Sequence, residues 1–106
     1  MSKQQRPASN VDRLREVSPD VADRFVALMA ALDSHGALGP KQRELCLLAG
    51  FAAARIESGF RIHCLRASQA GATVAELEQV VLLMLGTSLG ISPVIETLSW
   101  LYDELP

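Results

Sequence analysis

The chain has 106 residues, a formal net charge of −2, and apolar residues at 49% of its positions. Lysine and arginine are interspersed with aspartate and glutamate, which argues against nucleic-acid binding and against a polybasic membrane anchor. Aromatic residues make up only 5% of the chain, so its core must be mainly aliphatic, a composition that suits packed helices.

The N-terminal segment "MSKQQRPASN" lacks the apolar stretch of a secretory signal, and we interpret residues 1–10 as a disordered tail. Residues 11–106 then form a single helical domain. The longest uncharged run, 79–95, is interrupted by two glycines and a proline, so no membrane span is expected. Two cysteines without a secretory signal predict reduced thiols and a cytoplasmic location.

Helix start and stop signals are frequent in the first half of the chain. A short turn is predicted at 11–16, and a helix follows from the Ser18-Pro19 pair to a stop at Gly36. The next helix is predicted over 40–57, with Gly59 as its left-handed cap.

The second half of the chain predicts three more helices. One covers 60–70, and the next begins at Thr73, which forms a capping box with Glu76. The last begins at Ser92, where a proline again follows a capping residue. Nothing in the chain alternates with period two for long enough to be a strand, so an all-α domain of about five to six helices is expected.

Two stretches carry more apolar surface than a small monomer can bury. Residues 45–54 are apolar or glycine at every position, and residues 80–85 are apolar throughout. Neither stretch leaves a polar face for water, which predicts a homo-oligomer that buries part of this surface between subunits.

The order of these features resembles the carboxymuconolactone decarboxylase and alkylhydroperoxidase D-like superfamily. The likeness covers about 17–105 and rests on "GALGPKQREL", on a histidine eight residues before "GAT", and on "TVAELEQVVLL". It implies an AhpD-like helical fold and a trimer or hexamer. In the redox branch a Cys-x-x-Cys pair precedes the histidine, and a glutamate lies in the preceding helix.

Residue by residue, this chain matches the family pattern at two site positions and departs from it at two others. Glu44 and His63 match the glutamate and the histidine, whereas Ile56 and Gly59 stand where the cysteines would be. The resemblance therefore implies that dithiol peroxidase chemistry is absent. The decarboxylase branch also lacks the pair and has an arginine after its histidine; Arg66, three residues on rather than two, is assigned to substrate binding.

His63 shares a helical face with Phe60 and Ala67, so its imidazole is expected to point inward or into a cleft between the helices predicted at 40–57 and 60–70. There it could act as a general acid or base, or it could be a satisfied core histidine. A plain hairpin turning at residue 58 would offset it from Glu44 by about nine residues, or roughly 13 Å. Contact would then need crossed helices or a neighbouring subunit.

The two cysteines are expected to have different roles. Cys46 lies in the apolar run and is predicted to be a small buried hydrophobe, whereas Cys64 is the better candidate for a reactive thiol. The same hairpin would separate them by roughly 9 Å along the axis, too far for a disulfide. One histidine and two cysteines at these spacings match no zinc pattern, so neither a metal nor a cofactor is expected.

Three functions remain open at this point. The first is acid–base chemistry, of a decarboxylase or lactone type, on a small carboxylated molecule by His63 and Glu44. The second is a non-catalytic helical oligomer, and the third and least favoured is a thiol peroxidase. The expected partners are other copies of the chain and a small-molecule ligand, with no nucleic acid and no membrane.

Overall fold

The computed structural model describes residues 9–106, and this part of the chain is helical with no strand. It divides into two compact units, with the boundary along the chain between residues 37 and 38. The first unit contains α1 (Asn10–Val17) and α2 (Pro19–Ser34). The second contains α3 (Pro40–Ala53), α4 (Glu57–Gln69), α5 (Val74–Leu83), a 3-10 turn (Met84–Gly86) and α6 (Ile91–Glu104). The all-α prediction is confirmed.

The first unit is a helix pair in which each helix has a serine as its N-cap. Ser9 and Asp12 form a capping box, in which each side chain accepts from the other residue's backbone amide at 3.1 Å. Ser18 has extended backbone angles and caps α2 as predicted, accepting from the amide of Val21. The tail predicted at 1–10 lies outside the described residues except for its last two, which cap and begin α1.

The second unit is built around an aliphatic core with two aromatic side chains. Phe60 and Trp100 meet edge to face with their ring centres 5.8 Å apart. The fully buried apolar side chains come from all four helices of this unit: Leu48, Ala52, Phe60, Cys64, Ala67, Leu77, Val81 and Leu101. No helix in residues 9–106 combines the length and the apolar character needed to cross a membrane.

The end of α3 is the largest departure from the predicted helices. The helix ends at Ala53, and the amides of Arg55 and Ile56 donate to the carbonyls of Ala52 and Phe51. These two bonds are those of a Schellman motif, and the left-handed residue in it is Arg55, with φ of 60°. The predicted end at 57–59 with Gly59 as cap is therefore wrong, since Gly59 lies in the first turn of α4.

The contacts of its side chain explain why Arg55 adopts a left-handed backbone conformation that normally favours glycine. Its guanidinium donates to Thr97 and to Glu96, and it lies 4.6 Å from the centre of the Trp100 ring. Thr97 is completely buried, so it depends on this donor and on its own bond to the carbonyl of Pro93. Arg55 thus fixes the α3–α4 turn to α6.

The helix predicted at 60–70 begins three residues earlier, at Glu57, and the remaining helix boundaries follow the sequence closely except at α6. Gly71 ends α4 with φ of 101°, and the capping box of Thr73 and Glu76 is formed as predicted. A 3.0 Å ion pair between Lys41 and Glu76 joins the starts of α3 and α5. The cap predicted at Ser92 is wrong: α6 begins at Ile91 after Gly90, and its proline occupies the third position.

We expect the destabilisation caused by the left-handed backbone of Arg55 to be measurable separately from the stabilisation that its side chain provides. Arg55→Ala should lower the free energy of unfolding by about 2–4 kcal/mol, because it loses bonds to a buried hydroxyl and to an aromatic face while φ stays positive. Arg55→Gly should cost about 1 kcal/mol less, because glycine adopts positive φ without strain. Urea denaturation measures both. A glycine variant as unstable as the alanine variant would show that the turn stores no backbone strain.

Candidate functional site

The two predicted site residues are in direct contact within one chain. The imidazole Nδ1 of His63 in α4 lies 2.5 Å from Oε2 of Glu44 in α3. Both side chains are mostly buried, with 15% and 11% of their surface exposed. The sequence-based expectation of a 13 Å offset is therefore wrong.

The early turn at Arg55 explains how these residues meet. With the chain reversing near residue 55 instead of 58, the hairpin offset between Glu44 and His63 falls to about three residues, or roughly 4.5 Å along the axis. A glutamate side chain and an imidazole span that distance between packed helices. Neither crossed helices nor a neighbouring subunit is needed for the contact.

The contact determines which imidazole nitrogen is available for chemistry. An ionised carboxylate can only accept, so Nδ1 carries the proton that Glu44 binds. Nε2 is then the nitrogen that can take up or release a proton. His63 keeps some exposure, so its ring is not completely sealed within the core.

Phe51 completes the surroundings of the imidazole, and the sequence analysis missed it. Its ring stacks on His63 with centres 5.0 Å apart and planes inclined by 26°. The residue lies seven positions after Glu44, two turns along the same face of α3. This spacing was a usable signal, because Phe51 is the one aromatic residue of that helix.

The arginines near the α3–α4 turn differ in whether they already bind acidic side chains. Arg61 binds Glu57, Glu104 and Asp103 at 2.9–3.2 Å, and these bonds, that to Glu57 foremost, raise the pKa of its guanidinium. Arg66, the predicted substrate-binding residue, is exposed in the last turn of α4.

Arg66 has no acidic partner in the part of the chain described. It lies three residues after His63, so the two side chains project from neighbouring positions on the helix. Its guanidinium is therefore available to an anion beside the histidine, whereas that of Arg61 is already neutralised.

The structure contradicts the burial predicted for Cys46, and it makes Cys64 part of the packing rather than a reactive thiol. Cys46 is exposed and not a buried hydrophobe, while Cys64 is completely buried. Burial raises the pKa of the Cys64 thiol to about 12, so the thiolate that reacts with peroxides is not formed near neutrality. Both thiols are free, in agreement with the predicted absence of a disulfide.

An open groove of about 230 Å³ lies between α3 and α5. Its walls are formed by Leu45, Glu76, Gln79, Val80 and Leu83, and His63 is not among them. In residues 9–106, no three histidine, cysteine or acidic side chains are grouped as metal ligands.

Comparison with protein families shows the family to which the chain belongs. The model of the carboxymuconolactone decarboxylase family matches residues 19–91, which is more than half of the chain. The chain therefore belongs to the carboxymuconolactone decarboxylase family. Comparison with curated proteins and with solved structures gives no match.

The difference between the two cysteines predicts selective alkylation. With iodoacetamide near pH 8, Cys46 should be modified in the folded protein, whereas Cys64 should stay unmodified. A thiol of pKa about 12 is ionised there in only about one molecule in ten thousand, and it is also inaccessible. Mass spectrometry of the digested protein measures both sites, and denaturant should expose Cys64 as the positive control. Equal native labelling would contradict the burial of Cys64.

Proposed function

We propose that the chain is an enzyme that performs acid–base chemistry on a small carboxylated substrate. His63 moves the proton through Nε2, and Glu44 holds the imidazole in position. The observation that carries this proposal is the 2.5 Å contact between the two side chains, combined with the incomplete burial of the histidine. A core histidine can also be satisfied by a carboxylate, so it is the partial exposure of the ring that favours the catalytic role.

The family name suggests decarboxylation as the reaction. Loss of carbon dioxide breaks a carbon–carbon bond and leaves its electron pair on the substrate, where a neighbouring carbonyl can delocalise it. The imidazolium of His63 then gives its Nε2 proton to that carbon and recovers a proton from solvent. Glu44 stabilises the charged imidazole and keeps Nδ1 protonated throughout.

Arg66 supports the preference for an anionic substrate. It is exposed and lies one helical turn from His63, with no acidic partner in residues 9–106. A guanidinium can bind a carboxylate through two parallel hydrogen bonds, which fixes the substrate as well as attracting it. In this role Arg66 would hold a carboxylate that is not lost in the reaction.

We also propose that the protein is a homo-oligomer, a trimer or hexamer as the resemblance implies. Around the end of α5, Leu82, Leu83 and Leu85 are 48–58% exposed, and Ile91 and Ile95 on α6 are exposed further. Several large aliphatic side chains exposed in one segment of the chain are typical of an interaction surface. The same observation favours the second candidate function, a helical oligomer without catalysis.

A thiol peroxidase is the weakest of the three candidates. Ile56 and Gly59 cannot supply an attacking and a resolving thiol. Cys64, the remaining candidate near the histidine, is buried with a raised pKa. We therefore expect no peroxide turnover that Cys64→Ser abolishes and Cys46→Ser leaves intact.

The enzymatic proposal predicts distinct losses on substitution of the pair. In an assay of carbon dioxide release from small carboxylated lactones, His63→Ala should lower kcat by about 10²–10⁴-fold, the usual contribution of a general acid–base group. Glu44→Gln should cause a smaller loss, because the amide no longer specifies which imidazole nitrogen is protonated. Glu16→Gln, an exposed charge in α1, is the matched control and should retain full activity.

The same variants separate the catalytic and the assembly functions. Nitrogen chemical shifts of His63 report its tautomer without any substrate, and in the native protein Nδ1 should carry the proton. If His63→Ala retained full turnover of an accepted substrate, the histidine would have no catalytic role. If no lactone were turned over and Glu44→Gln left the tautomer of His63 unchanged, the proposal of a non-catalytic oligomer would replace the proposal of an enzyme.

The assembly proposal predicts a mass well above that of one chain. Light scattering at micromolar concentration should give a multiple of 11.4 kDa, and Leu83→Glu should reduce it by placing a charge in the apolar contact. Val17→Glu, at a position 84% exposed in α1, is the control. A native mass of 11.4 kDa would contradict the proposal.

A further inference from the structure

The ring of Phe51 lies along one face of α4 and covers a full turn of it. At one end it stacks on His63. At the other it lies over Gly59, which precedes His63 by four residues and so occupies the same face of the helix. One aromatic side chain from α3 therefore contacts both Gly59 and the imidazole.

Gly59 is required here for space and not for its backbone angles. It has an ordinary helical conformation, and glycine inside a helix is otherwise unfavourable. A Cβ at this position would lie 2.4 Å from Cε1 and 2.5 Å from Cδ1 of Phe51, closer than any real contact. Any larger residue at 59 must push the ring off α4.

The stacked ring supplies a restraint that the imidazole does not possess by itself. The second side-chain torsion of histidine has a broad energy profile, so its rotamer alone does not fix the plane of the ring. A flat neighbour inclined by 26° restricts that rotation and keeps Nδ1 directed at Glu44. It also covers one face of the ring, which limits the access of water to the hydrogen bond.

We propose that Phe51 is a positioning residue for His63 and that Gly59 acts through it. The ring holds the imidazole in the plane in which Nδ1 meets the carboxylate and Nε2 stays free. This deepens the proposed function, because it concerns the same imidazole. Its primary readout is the tautomer of His63, which does not depend on turnover.

The experiment compares four variants with the native protein by the nitrogen chemical shifts of His63 across pH. Phe51→Leu keeps an apolar side chain but removes the flat ring, and Gly59→Ala displaces the ring. The third variant combines both changes. Gly50→Ala is the matched control, because it adds a methyl group to α3 at an exposed glycine with nothing within 4 Å.

Both single variants should move neutral His63 away from the pure Nδ1-protonated form, whereas Gly50→Ala should leave it unchanged. The double variant should resemble Phe51→Leu alone, because without the ring the added methyl meets nothing. In urea denaturation, Gly59→Ala should lower the folding equilibrium constant in the native background and raise it when Phe51 is leucine. The expected coupling is roughly tenfold. If Gly59→Ala alone fails to fold, the double variant should restore folding without restoring the native tautomer.

Two results would overturn the proposal. One is a native tautomer in Phe51→Leu, which would leave the ring with a packing role only. The other is an effect of Gly59→Ala on His63 that persists in the absence of the ring. A changed tautomer together with unchanged activity in His63→Ala would leave this inference standing and remove the proposed function.

Discussion

The candidate site depends on the place where α3 ends. Because Arg55 takes the left-handed conformation, the chain reverses near residue 55 and the two helices of the hairpin pair with Glu44 close to the level of His63. A reversal three residues later would shift the partners by about two more turns of helix. The contact between Glu44 and His63 is thus a consequence of a helix cap, and the cap is held by contacts to α6.

The sequence indicated the helices far better than it indicated their register. Proline and capping residues at Ser18, Pro40 and Thr73 placed three helix starts, because these signals act locally through the first turn. The end of α3 was misplaced because glycine is the usual left-handed residue, and Gly59 was the nearest glycine. Arg55 takes that conformation only through contacts with residues some forty positions away, which no local pattern reveals.

For the candidate site, too, the sequence indicated which residues to consider but not how they are arranged. Glu44 and His63 were identified by matching a family pattern, whereas their contact followed only from the three-dimensional register. Phe51 was overlooked because an aromatic residue in an apolar run is ordinarily core. Gly59, which the ring of Phe51 contacts, was predicted to be a helix cap, although its lack of a side chain leaves room for the ring. Cys46 was misassigned because periodicity in an almost wholly apolar stretch does not say which face is buried.

The environment of the single tryptophan connects the cap and the core to an optical signal. Trp100 is buried, meets Phe60 at its edge and carries the guanidinium of Arg55 on its face. Its fluorescence therefore originates at the junction between the α3–α4 turn and α6. Emission from this indole reports whether the hairpin is locked in register, and it does so in a chain with no other indole to obscure it.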